Sequence, residues 1–405
     1  MTEQAQGGAL QGLRVIDLSA VLSGPAGTQI LGDMGADVIK VEPPAGDETR
    51  RMGAPAWHDG SAAAYVNTNR NKRSISVDLQ KPEGRALLLR LLEGADVLVE
   101  NFKPGTMAKW GLDYETVLKA RFPQLIHCQI TAFGADGPLG GLPGYDPIAQ
   151  GYGGILGFGG FPGGPPLRLH LPAVDYATAL YAVIAIQGAL LERARSGQGQ
   201  AIEVTLYDSA LSLLHPFACN WLLRGVVPQQ MGNRHSSAAP YDIYPTRDGH
   251  IVLLVVTLRQ FHNMCDALGL PALRDDPRMQ VTTGRVQHND ELEAAIVPVL
   301  ARLTTDAAVA RLNAAGVPVA PVLDVGQALS HPHAAVRGAV VEGAEGYRGV
   351  ASPLRFSRTP VSYRIVPPRQ GAHGREILAE ARLDPAEVEA LIETGVVIAP
   401  PADET

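Results

Sequence analysis

The chain has 405 residues, 46% of them hydrophobic and 19% charged, with a formal net charge of -7 at pH 7. That length can bury a large core as one large or two moderate domains, and the composition is that of a globular protein. The acidic balance gives no electrostatic case for nucleic acid as a partner and leaves only local basic patches for a phosphate-bearing ligand.

In chain order, residues 13–18 read as a short buried strand, followed by the loop S-A-V-L-S-G-P and a helix over 25–34 that has proline at its start and Gly35 beyond its end. A second strand covers 37–42 and completes a β-α-β unit whose first loop is where an open α/β sheet receives ligands. It has no G-x-G-x-x-G, so a dinucleotide fingerprint is absent. Residues 43–61 are a polar surface loop, and N-T-N-R-N-K-R-S then places Arg70, Lys72 and Arg73 just before a strand expected at 75–79. Such a cluster is either a solvated face or a grip on phosphate, since phosphates are read by several donors at once. A helix over 82–93, a strand over 96–100 ending in N-F-K-P-G, a helical stretch over 114–121 and a strand over 125–130 continue the alternation. Asn101, Phe102 and Lys103 thus stand where a strand gives way to a loop. These strands with intervening helices predict a mostly parallel sheet covered on both faces.

Residues 141–181 are rich in glycine and proline and run into P-A-V-D-Y-A-T-A-L-Y-A, where Asp175 sits at the mouth of a long apolar helix expected to reach residue 194. Asp175 has two readings on local sequence, a helix N-cap or a reactive carboxylate beside a glycine-rich wall. Beyond it come a strand at 201–204, a helix over 207–223, an irregular boundary, a hairpin over 241–256, a helical stretch, a strand at 319–323 and a C-terminal helix over 385–394.

Cys128, Cys219 and Cys265 lie far apart without metal or redox spacing, which fits a reducing compartment, and a cytoplasmic protein is expected. His331 and His333 have no ligand partner at a recognised spacing, so no metal is expected. The opening M-T-E-Q-A-Q-G-G has no basic or apolar stretch and predicts no export signal. No run is expected to reach the roughly eighteen apolar residues of a membrane span. The chain also lacks G-x-S-x-G, the local support for a serine hydrolase.

The blocks L-R-V-I-D-L-S-x-V-L-S-G-P and L-G-D-M-G-A-D-V-I-K-V-E within residues 10–44, then N-R-N-K-R-S-I-S-V-D-L, A-D-V-L-V-E-N-F-K-P-G, G-Y-D-P-I-A-Q, P-A-V-D-Y-A-T-A-L-Y-A and G-Q-G-Q-A-I-E-V-T-L-Y-D-S-A-L, resemble the class III CoA-transferase family. That family also holds the carnitine-related CoA-transferases and the acyl-CoA racemases. The resemblance covers most of the first 210 residues and continues in R-G-V-V-P-Q-Q-M-G-N and Y-P-T-R-D-G.

The resemblance implies an α/β fold in an interlocked homodimer. A Rossmann-like large domain would be built from residues 1–224 and 331–405, with a smaller α+β domain from 225–330. It implies that coenzyme A thioester is a substrate, with no permanently bound cofactor, and that the partners are acyl-CoA, a carboxylic acid and a second copy of the chain, without nucleic acid or membrane. The family's catalytic aspartate matches Asp175, and the tyrosine of its G-Y-D/E block matches Tyr145 in the active site, followed by Asp146. Its CoA-contacting positions match Val21, Leu22, Ser23, Val77, Asn101, Phe102 and Lys109. A CoA-contacting arginine falls on Pro43 and a lysine on Gln80, so Arg70, Lys72 and Arg73 are expected to supply the missing grip. Arg168, His170, Arg234 and His235 are candidates for meeting the second carboxylate of a short dicarboxylic acid, against the alternative of water-facing loop residues. The racemase branch places a histidine where Tyr145 stands; a phenol, which ordinarily ionises at about pH 10, is a poor replacement for that base. The resemblance therefore favours CoA transfer over an acyl-CoA racemase or epimerase. A non-catalytic CoA-binding homologue would require loss of Asp175 or a blocked pocket.

Overall fold

A computed structural model of the chain describes residues 8–399. Consecutive apolar residues in the first strands are buried on opposite sides, as in a sheet covered on both faces. In β1 (Arg14–Asp17), Val15 belongs to one core cluster and Ile16 to another; in β2 (Asp37–Glu42), Val38 and Ile39 divide the same way. In β4 (Val97–Glu100), Leu98 faces one core while Val97 and Val99 face the other. One core is closed by helix α2 (Pro82–Leu91), through Leu87, Leu88 and Leu91, together with Ile377, Leu378 and Val388 from near the C-terminus. The other is closed by α1 (Ser23–Asp33) and α4 (Ala173–Ser196), through Leu31 and through Val174, Ala182, Val183 and Ile186.

With β3 (Lys72–Val77), β5 (Ile126–Thr131) and β6 (Ala201–Thr205), the sheet order is β3-β2-β1-β4-β5-β6, all parallel. The short strand Val397–Ile398 adds an antiparallel edge beside β3, so the sheet is mixed. The order reverses between β1 and β4, and the crevice above a reversal is where open α/β sheets take ligands. Helix α5 (Leu206–Ser212) and Tyr145, at the cap of α3 (Asp146–Tyr152), border that crevice.

Several local expectations are corrected. The third strand begins at Lys72, three residues before its expected start, which carries Lys72 and Arg73 into the sheet. The helix expected over 207–223 is two helices, α5 and Phe217–Arg224, interrupted before Pro216. Helix α4, with 24 residues and mean hydropathy 1.5 over its most apolar window, is long and apolar enough to cross a membrane by composition alone, contrary to expectation. Its Val174, Ala182, Val183, Ile186 and Ala189 side chains nonetheless form part of the core.

The described chain divides into two compact units. The first joins the residues up to Ile155, Leu169–Leu223 and those from Ala335 onward; the second comprises Leu156–Arg168 and Arg224–Ala334. The second unit has an antiparallel three-stranded sheet, β7 (Tyr241–Pro245), β8 (His250–Leu254) and β9 (Val319–Pro321), over a core that includes Phe261, Leu292, Ile296 and Leu312. There Arg285 is fully buried and donates to the carbonyls of Ala239, Met279 and Val256.

Candidate active site at the carboxyl ends of β1 and β4

A cavity of about 370 Å³ opens where the strand order reverses. Residues 20–23 after β1, 101–104 after β4, Ile130 and Thr131 at the end of β5, Leu142–Tyr145, Leu206 of α5, Glu48 and Asp175 form its lining. A second cavity, of about 340 Å³, shares Ala20, Glu48 and Phe102 with the first and is mainly apolar, lined by Leu18, Val41, Pro43, Pro44, Val77, Leu79 and Trp110 among others. Phe102 and Trp110 meet there edge to face at 5.1 Å.

The loop after β1 is held in a conformation its sequence does not favour. Val21 has φ 69°, the left-handed region, which a β-branched residue enters only when its surroundings enforce it. The Asn101 side chain supplies such a constraint: its Oδ1 accepts from the Ala20 N–H at 2.9 Å and its Nδ2 donates to the Ala20 carbonyl at 2.8 Å. Gly24 permits the close turn that follows, because a Cβ there would lie 2.3 Å from the Ser19 side chain. Helix α1 then runs beside α4, with Gly27 close enough that an added Cβ would stand 3.3 Å from the Ala179 carbonyl. The two helix starts are thereby brought together, and the Ser23 hydroxyl donates to the Asp175 carboxylate.

Asp175 does not cap its own helix. The N-cap position is Pro172, and the first N–H groups of α4 go to Asp146, whose Oδ2 accepts from Val174 at 2.8 Å and from Asp175 at 3.1 Å. The capping reading of Asp175 is thus corrected, and its carboxylate is left facing the cavity. Burial pushes the Asp175 carboxyl up to about 6; the Ser23 hydrogen bond opposes the shift and the Asp146 charge adds to it. A partly buried carboxylate of that basicity is ionised near neutral pH and is less stabilised by water than an exposed one, which suits a nucleophile toward an activated acyl group.

Of the other expected site residues, Val21, Leu22, Ser23, Asn101, Phe102 and Tyr145 line the first cavity, and Val77 and Phe102 the second. Pro43 and Gln80 also border the second. Lys109 is exposed on the short turn Thr106–Lys109 and lines neither. The basic cluster is corrected most sharply. Arg70 is 5% exposed and forks onto Asp33 at 3.0 and 2.7 Å; Lys72 is fully buried against Asp17 at 3.0 Å; Arg73 pairs with Asp37, Glu376 and Glu380. Burial lowers the Lys72 amine to about 8 despite the Asp17 charge, while Asp17, which burial alone would raise, is held at about 2 by Lys72, Lys40 and hydroxyl donors. Arg70, Lys72 and Arg73 neutralise internal carboxylates, and neither cavity is lined by them.

His170 is exposed in the first unit and outside both linings. Arg168, Arg234 and His235 belong to the second unit and are exposed. Arg234 there binds Glu293 at 2.6 Å and Asp290 at 2.7 Å, and His235 stacks on Tyr241 at 4.9 Å. Glu48 and the capping role of Asp146 were not foreseen. The only advance signal for Asp146 was an acid directly after Tyr145 in the G-Y-D block.

A family model described as CoA-transferase family III matches residues 10–374. The chain is 41% identical over 381 residues to succinate–glutarate CoA-transferase of Agrobacterium fabrum, covering 92% of this chain and 95% of that one. It is 38% identical over 354 residues to acetyl-CoA:oxalate CoA-transferase of Acetobacter aceti, covering 86% and 90% respectively. A crystal structure of a CaiB/BaiF family protein from Brucella suis superposes with TM-score 0.87 at 40% identity, covering 93% of this chain and all of that one. With the match spanning most of both units, the chain belongs to CoA-transferase family III, the CaiB/BaiF class.

Proposed function

We propose that this chain moves CoA from an acyl-CoA thioester to a free carboxylic acid through covalent catalysis by Asp175, with short dicarboxylic acids as its substrates. The observation that carries the reading is the Asp175 carboxylate itself, relieved of capping by Asp146, hydrogen-bonded by Ser23 and facing a cavity at the switch point of the sheet.

In this reading the carboxylate attacks the donor thioester, forming a mixed anhydride with Asp175 and releasing CoA thiolate. The thiolate attacks the aspartyl carbonyl, the donor acid departs, and an aspartyl-CoA thioester remains. The acceptor carboxylate attacks that thioester to give a second anhydride, and the thiolate then takes the acceptor acyl group and restores the carboxylate. CoA lies along the loop of Val21–Ser23 and beside Asn101 and Phe102, with its nucleotide end toward the apolar cavity at Val77. Dicarboxylates are supported by the names of the two relatives above, which act on succinate and glutarate and on oxalate. Lys103, which lines the first cavity, offers a charge for the second carboxylate. The functional species is a homodimer; on the first unit, Leu180, Ile184 and Leu191 of α4 are 51%, 61% and 72% exposed, an apolar face suited to a second copy.

The test is a screen of acyl-CoA donors against mono- and dicarboxylic acceptors, with wild type beside Asp175→Asn. Transfer to succinate or glutarate that disappears in the variant, together with hydroxylamine trapping on the Asp175 peptide, supports the reading. Carnitine derivatives or aromatic monoacids used far faster than diacids would remove the substrate assignment and leave the mechanism. Epimerisation of an α-methyl acyl-CoA without acceptor would move the chain to the racemase branch. Light scattering should give twice the 42.9 kDa chain mass.

A further inference from the structure

A helix whose cap position carries no side-chain acceptor leaves its first N–H groups free, and these draw a nearby carboxylate. Helix α4 is such a helix, with Pro172 at its cap position and Asp175 in its first turn. Those N–H groups are taken by Asp146, which is 4% exposed. Its other oxygen, Oδ1, accepts from Gln150 Nε2 at 2.5 Å, and Gln150 in turn accepts from the Leu169 N–H at 2.9 Å and donates to the Leu169 carbonyl at 3.2 Å. One carboxylate therefore ties α3 to the start of α4 and, through Gln150, to the chain leading into it.

We infer that Asp146 is a positioning residue for the transfer reaction: it holds the first turn of α4 so that the Asp175 carboxylate faces the cavity, and it sets the charge against which that carboxylate works. The inference rests on the proposal that Asp175 is the nucleophile. The other charged or titratable groups on the cavity wall are Glu48, Lys103 and Tyr145; from α1, α5 and β5 the wall takes Ser23, Leu206, Ile130 and Thr131. Asp146 stands directly behind the backbone of Asp175 and raises the basicity of its carboxylate.

The experiment compares Asp146→Ala, Asp146→Asn and Asp175→Asn in the full-length protein, measuring kcat, KM for succinyl-CoA and the pH profile of kcat/KM. Alanine leaves the α4 N–H groups without their acceptor, and kcat should fall about 10- to 100-fold, the usual cost of a misplaced reacting group, with KM changed little. Asparagine keeps an oxygen for those N–H groups but no charge. It should recover most of the kcat at pH 8, and its acid limb should lie at lower pH than that of wild type. A merely structural residue would lower thermal stability without moving that limb. Wild-type kcat in the alanine variant, or an unmoved acid limb in the asparagine variant, overturns the inference; if alanine prevents folding, the asparagine profile alone decides. An inactive Asp175→Asn beside fully active position-146 variants removes the role of Asp146 only, whereas an active Asp175→Asn removes the nucleophile reading itself.

Discussion

Removing the Ser23 hydroxyl isolates the ionisation of Asp175 from its position. Ser23 is buried at the start of α1 and donates to the Asp175 carboxylate, opposing the rise that burial and Asp146 impose. Asp175 keeps some contact with solvent, so the low end of the range for a hydrogen bond to a charged group applies, about 1.5 kcal/mol. At 1.36 kcal/mol per unit, Ser23→Ala should move the carboxyl by about one unit, from about 6 to about 7. The ionised fraction at pH 6 then drops from about one half to about one tenth, and at pH 8 it stays near nine tenths. Initial rates of acyl transfer from succinyl-CoA, followed by chromatography of the CoA products, should therefore fall roughly fivefold at pH 6 and change little at pH 8. An equal loss at both pH values would mean that Ser23 acts through geometry alone. An acid limb that stays at its wild-type position would refute the hydrogen bond as a determinant of the nucleophile's basicity.

Three further outcomes follow from the same contacts. Because the folded-state pKa of Asp175 is raised from 3.8 to about 6, the stability this group contributes is full below about pH 4 and is lost as pH rises through 6. Asp175→Asn should accordingly be more stable than wild type by about 1–3 kcal/mol in urea unfolding at pH 8 and equal to it at pH 4; no gain at pH 8 would contradict the burial effect. Arg70→Ala leaves Asp33 buried without its partner and should cost about 3–5 kcal/mol, while calorimetry on the folded protein finds the Kd for CoA unchanged; weakened binding with intact stability would return Arg70 to a phosphate-binding role. Asn101→Ala frees Ala20 and the left-handed Val21 and should lower kcat/KM for acyl-CoA about tenfold or more; wild-type kinetics would show that the loop keeps its shape without the amide.

The parallel sheet was legible because its strands are short apolar runs separated by helical spacing, and consecutive residues such as Val15 and Ile16 are buried on both faces. Asp175 and the loops at residues 20–23 and 101–103 could be picked out because they follow strand ends or open a helix, features of local order. What local order could not supply was the partner of each charge. Lys72 meets Asp17 from 55 positions away, and Arg73 meets Glu380 from 307. Without those acids in view a K-R pair reads as a surface, and its polarity also hid the first residues of β3. The same limit hid Asp146: the N–H groups it caps lie 28 and 29 positions ahead, so a cap remained one of the two local readings of Asp175 for a helix already capped from elsewhere.

The C-terminal stretch has a consequence for the order in which the molecule can be assembled during synthesis. Strand β3 is emitted early, yet its needs are met late: Val77 and Ser76 pair with Val397 and Ile398, the His373 N–H donates to the Ser74 carbonyl, and Arg73 waits for Glu376 and Glu380. Between the two lies the whole second unit, Leu156–Arg168 and Arg224–Ala334. A nascent chain that has exposed β1 to β6 therefore carries an open strand edge and a cation lacking two of its three acids until more than a hundred further residues have left the ribosome. Open edges of this kind are templates for wrong pairing. Closure of this sheet edge thus waits for the residues around Val397 in this topology, and a ribosome stalled anywhere in residues 224–334 would present a sheet able to recruit a strand from another chain.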